Sequence, residues 1–185
     1  MNDYASLFNP PFALERETAA LVVIDMQYAS ASRHYGLGAL LQARGLQANG
    51  AYRFDRIEKV VVPTIQRLLA AFRQHGLPVI FLTVGSERSD YADLLPNMRR
   101  FAEAIGNRAS AQEHRILDEL APQAGESVVN KTTMSAFHSS GFERLVQAMG
   151  RTQLCFTGVS TNSCVEGTAR DAADRGFQCV IVEDG

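Results

Sequence analysis

Residues 152–184, TQLCFTGVSTNSCVEGTARDAADRGFQCVIVED, read as strand, helix, strand. TQLCFTG (152–158) and FQCVIVED (177–184) are short apolar runs rich in β-branched and aromatic residues. Between them SCVEGTARDAADRG (163–176) has helical spacing, Ser163 and Glu166 placed as a capping box, and Gly176 as a stop. Two runs with no polar alternation, joined by a helix, predict parallel strands buried on both faces.

The same grammar recurs upstream. ALVVID (20–25), PVIFLT (78–83) and SVVNK (127–131) are further strand runs. DRIEKVVVPTIQRLLAAFRQHG (55–76) predicts a helix with Asp55 and Glu58 as capping box and a kink at Pro63. SGFERLVQAMG (140–150) predicts another, capped by Ser140 and Glu143. Residues 1–19, with Pro10 and Pro11, read as an irregular arm, and 28–54 as a long loop with one helical turn. Residues 85–110 read as irregular, and HRILDEL (114–120) as a short helix. Strands alternating with amphipathic helices predict an α/β fold: three layers, α/β/α, around a mainly parallel sheet.

Composition bounds the function. The chain has 185 residues, 46% hydrophobic and 21% charged, with a formal net charge of −2, which fits one globular domain over 1–185. No basic stripe points to nucleic acid, and no apolar run approaches the ~20 residues of a membrane helix. The opening MNDYASLFNP does not follow the basic-then-apolar order of a signal peptide, and the three cysteines form no CxxC pair, so a reducing cytoplasm is the expected location.

In open parallel sheets, ligands bind at the carboxyl ends of the strands. Asp25 ends the first run, Lys131 ends the third, and Cys164 follows the fourth. Taken singly, each has an ordinary reading: a packed thiol, a capping Asp, a solvated Lys. Taken together they supply a nucleophile, a base and a cation. A helix N-terminus beside a lysine favours a thiolate, Asp25 can move a proton, and the amides of Ser160 and Cys164 can hold an oxyanion. Cys155 and Cys179 lie inside apolar strands and read as core. The four histidines show no metal spacing; His75 reads as a cation at a helix C-terminus, and His34 and His138 lie where they could face a pocket. Asp25-Met26-Gln27 is not the Asp-x-Asp of aspartyl phosphatases, and GLGALL (36–41) lacks the last glycine of a dinucleotide fingerprint.

VVIDMQ (22–27), NKTTMSAF (130–137) and GVSTNSCVEGTARDA (158–172) resemble the isochorismatase-like cysteine hydrolases, with similarity in order from about residue 18 to 185. The resemblance implies a Rossmann-like fold, an Asp25–Lys131–Cys164 catalytic triad, and a cis peptide between Val159 and Ser160 that shapes the oxyanion hole. It implies an amidohydrolase working through a thioester on a small amide or ureido compound, in wording nearest to biuret- and ureidoacrylate-type members. Gln27, Tyr35, Phe137 and Asn162 are candidates for the pocket. The family's nicotinamidases carry an Asp and histidines after the second strand that hold a metal. TVGSERSDYADLLPN (83–97) has no histidine, so no metal and no cofactor are expected. Tyr28, Ala29 and Ser30 also depart from the D-x-Q-x-D-F pattern of many members. A vinyl-ether hydrolase of the same fold, which would not need the cysteine, and a non-catalytic binding or redox protein remain as alternatives. Relatives continue with a further helix and strand beyond VIVEDG, so a longer chain or a covering neighbour, and a homo-oligomer (dimer or tetramer), are expected.

Overall fold

The computed structural model describes residues 12–185; residues 1–11 of the expected arm at 1–19 lie outside them. Five strands form one parallel sheet in the order β3-β2-β1-β4-β5. They are β1 (Ala19–Ile24), β2 (Val79–Val84), β3 (Ser127–Lys131), β4 (Gln153–Gly158) and β5 (Gln178–Ile181). β1 lies in the centre and all six of its residues are buried. Its neighbours on either side are reached by crossovers of opposite direction, which opens a crevice at its carboxyl end.

Alternate strand residues feed two cores. Leu21, Val23, Phe81 and Cys155 pack under Phe54, Ile57, Ile65 and Leu69. Val22, Ile24, Ile80 and Phe156 pack under Phe142, Val146, Val165 and Ala169. A sheet with apolar side chains on both faces leaves no polar alternation, and the helices on either side complete the three layers. On the edge strand β5, Val180 joins the first core while Ile181 stays exposed.

Residues 28–54 are not a long loop. They form α1 (Tyr28–Ala31), α2 (Gly36–Ala43) and most of α3 (Gln47–Arg56). α3 runs into a π turn, Ile57–Val61, and then α4 (Val62–Gln74). Asp55 is therefore mid-helix, and instead of capping it binds Arg33 and Lys59. Pro63 does not break the helix. The π turn precedes it, with the Val62 amide donating five residues back to Ile57, so the helix is reset just before the residue that has no donor.

The stretch 85–110 likewise holds a helix, α5 (Pro96–Ile105), and 114–120 holds a 3₁₀ turn, Asp118–Leu120, following another at Gln112–His114. The remaining helices are α6 (Ala136–Ser139), α7 (Phe142–Ala148) and α8 (Glu166–Asp174). Neither expected capping box around Ser140 or Ser163 forms. Ser140 accepts from the Phe142 amide, and Glu166 pairs with Arg170. No helix of the described residues is long and apolar enough to cross a membrane.

Candidate active site

Asp25 follows β1 with φ of 50°, a left-handed conformation that Asp tolerates better than most residues. Its amide donates to Leu82 at 2.9 Å and its carbonyl accepts from Ser30. Lys131 ends β3, two strands away, a separation of roughly 10 Å. Its long stem crosses that gap in a fully buried path. The Lys131 Nζ donates to Asp25 Oδ2 at 2.9 Å and to Cys164 Sγ at 3.3 Å. The side chains of Lys131 and Asp25 are 0% and 2% exposed.

Cys164 arrives from the other side of β1. β4 ends at Gly158, where φ is 108° and a Cβ would lie 2.0 Å from the Ile24 carbonyl oxygen, so only glycine fits. The Val159–Ser160 peptide is cis, and a π turn, Thr161–Val165, leads into α8. The Ser160 carbonyl accepts from the Ser163 and Val165 amides, which places buried Cys164 in the first turn.

The charges balance as a pair, leaving no counter-charge for a third ion. Burial works against the Lys131 ammonium, but Asp25 and Cys164 together hold its pKa above the ordinary lysine value. Burial pushes the Cys164 thiol up, Asp25 adds to this, Lys131 opposes it, and the result is about 12. The desolvation of a buried anion beside a carboxylate therefore works against the resting thiolate that the helix N-terminus and Lys131 favour. Asp25 Oδ1 is buried with no hydrogen-bond partner among the described residues, an acceptor left for a proton.

Asp25 and Cys164 open onto a cavity of about 440 Å³. One wall is α5, through Met98, Phe101 and Ile105; Val159, Ser160 and Arg53 line another part. Among the described residues, no group of three or more His, Cys, Asp or Glu side chains is placed to hold a metal.

The profile of the isochorismatase domain matches residues 19–185. The chain belongs to the isochorismatase family. The ureidoacrylate amidohydrolase RutB of Variovorax paradoxus (strain S110) is 32% identical, over 94% of this chain and 70% of that protein. The RutB of Pseudomonas syringae pv. syringae (strain B728a) is also 32% identical, over 94% and 72%. Among solved structures, a cysteine hydrolase from Pseudomonas syringae pv. phaseolicola 1448A superposes with a TM-score of 0.76 at 25% identity, covering 95% of this chain and 75% of that one. N-carbamoylsarcosine amidase from Thermoplasma acidophilum gives 0.66 at 25% identity, over 90% and 82%.

Within this isochorismatase-family chain, Asp25, Lys131, Ser160 and Cys164 meet at the cavity or just behind it, and the four pocket candidates do not line it. Buried Gln27 is a brace: its Oε1 accepts from the Val84 amide and its Nε2 donates to the His114 carbonyl. Tyr35 stacks edge-on against Tyr28 at the surface. Phe137 packs in the core against Phe142 and Phe177. Asn162 borders two neighbouring clefts, one of them shared with His138, which pairs with Asp171. His34 borders a separate depression.

Sequence reasoning missed Arg53 and Asn107, which line the cavity, and the α5 wall. It also missed His114, whose Nδ1 lies 3.2 Å from Gln27 Nε2 and 3.1 Å from Asn107 Oδ1. A usable signal for α5 was present in PNMRRFAEAIG: proline at the first helical position, apolar residues at 98, 101, 102 and 105, and a closing Gly106.

Proposed function

We propose that this chain is a cysteine-dependent amidohydrolase that cleaves a C–N bond of a small amide or ureido compound of biuret, ureidoacrylate or N-carbamoyl type. The observation that carries the reading is the buried Lys131 ammonium bound to both Asp25 and Cys164. Cys164 Sγ attacks the carbonyl carbon while Asp25 Oδ1 takes the thiol proton, so no free thiolate is needed beforehand. The amides of Ser160 and Cys164 receive the developing oxyanion. Collapse breaks the C–N bond as Asp25 returns the proton to the leaving nitrogen, and a thioester remains. Water attacks it, giving a proton to Asp25, and that proton then restores the thiol. Lys131 keeps its charge throughout and holds Asp25 and the sulfur in place. The names of the relatives, ureidoacrylate amidohydrolase and N-carbamoylsarcosine amidase, support ureido chemistry.

Ammonia release from biuret, ureidoacrylate, N-carbamoyl amino acids and nicotinamide tests this. At least one ureido compound is expected to turn over. Cys164→Ala abolishes turnover, and Asp25→Asn costs about 100-fold or more by loss of proton transfer. Substantial activity in Cys164→Ala would discard the thioester route in favour of cysteine-independent chemistry.

A further inference from the structure

Arg53 of α3 reaches the same cavity as Asp25 and Cys164. Its Nε and Nη2 donate to the Ser30 carbonyl at 3.4 and 3.0 Å, and its Nη1 donates to Ser160 Oγ at 2.9 Å. A guanidinium has five N–H groups, so one remains on each terminal nitrogen. Among the described residues Arg53 has no carboxylate partner. Its neighbours differ: Arg33 binds Asp55 and Glu58, and Arg56 binds Asp184. Burial lowers the Arg53 pKa, and no acidic group nearby raises it. A largely desolvated cation is costly unless it meets an anion. The two groups it does hold, a carbonyl and a hydroxyl, do not require a full charge.

The cavity's charge count sharpens the point. The other charged group on its lining is Asp25, and Lys131 already neutralises that carboxylate. A surplus of one positive charge therefore faces a largely apolar space. We infer that the substrate brings a carboxylate and that Arg53 binds it, so the preferred compound is a small ureido or amide acid and not a neutral one such as biuret or nicotinamide. This rests on the amidohydrolase reading for the reaction, but not for the binding. Arg53 also ties Ser30 to Ser160, so a bracing role for the cis turn is the competing account.

The test pairs acids with an uncharged counterpart: N-carbamoylglycine and 3-ureidopropionate against butylurea. Wild type is expected to favour an acid, and Arg53→Gln to lose about 10- to 100-fold in kcat/KM on it, mostly through KM, by loss of charge-assisted hydrogen bonds. Butylurea turnover should move less than about twofold, since it offers no anion to lose. Arg53→Lys, which keeps the charge without the fork, should recover part of the loss. A parallel fall on acid and butylurea would assign Arg53 to bracing and overturn the inference. Calorimetry on Cys164→Ala protein separates binding from chemistry and needs no Arg53 variant. There an acid is expected to bind at least about tenfold more tightly than butylurea. If neither acid does so, the carboxylate inference falls. If an acid binds in this way but no ureido compound is hydrolysed, the amidohydrolase reading falls and the anion site stands.

Discussion

Lys131→Met should destabilise the protein far more than a surface charge change would. Methionine nearly matches the volume of the lysine stem, so the substitution removes the charge without opening a large cavity. What remains is Asp25, 2% exposed, without its 2.9 Å partner. Breaking a buried pair by removing one member costs about 3–5 kcal/mol, because the other charge stays uncompensated. In a domain of this size each kcal/mol is worth roughly 2–4 °C, so Tm should fall by roughly 6–20 °C. The assay is urea and thermal denaturation followed by far-ultraviolet circular dichroism. Asp25→Asn/Lys131→Met should then recover at least about 2 kcal/mol relative to Lys131→Met alone, since the orphan charge is gone. A Lys131→Met protein within about 1 kcal/mol of wild type, the scale of an exposed pair, would refute the reasoning. So would a double variant no more stable than Lys131→Met.

Two further outcomes follow from the same elements. With the Cys164 thiol pushed up to about 12, its alkylation by iodoacetamide should rise about tenfold per pH unit from pH 7 to 10 without a plateau, as thiolate fraction dictates. Peptide mapping across that range would detect a plateau near neutrality, which would mean a stable thiolate. Gly158→Ala would force a Cβ to within 2.0 Å of the Ile24 carbonyl, in a backbone conformation L-residues rarely adopt. A loss above about 3 kcal/mol is expected, seen as insolubility or a sharply lowered Tm, and a melting curve unchanged from wild type would contradict the close approach.

The strands were legible because burial on both faces removes polar alternation, as in ALVVID and PVIFLT. Asp25, Lys131 and Cys164 were legible for a related reason: each sits where a run of this kind stops. The helices of 28–54 were not, since their sequence gives little apolar stripe. Gly36 and Gly50 lower helix propensity, yet both are buried, Gly36 against the Ala29 backbone and Gly50 beneath Leu41 and Phe54. Capping patterns misled where other partners took the same side chains, as Arg33 and Lys59 take Asp55. Arg53 lay in the stretch read as a loop and carried no mark of a site. Only the fold reveals that it faces Ser160 across 107 positions of chain with no acid beside it.

The cavity joins parts of different origin. Asp25, Lys131 and Cys164 are fixed at or just beyond the ends of three strands, in a sheet whose central member is wholly buried. Met98, Phe101 and Ile105 ride on α5, within the long excursion that leaves β2 and returns at β3. On the proposed reading, bond-breaking falls to the strand ends, and substrate choice to α5 and to Arg53 on α3. On the proposed mechanism, exchanges along α5 would reshape what is admitted, while exchanges at the strand ends would abolish turnover for every compound alike.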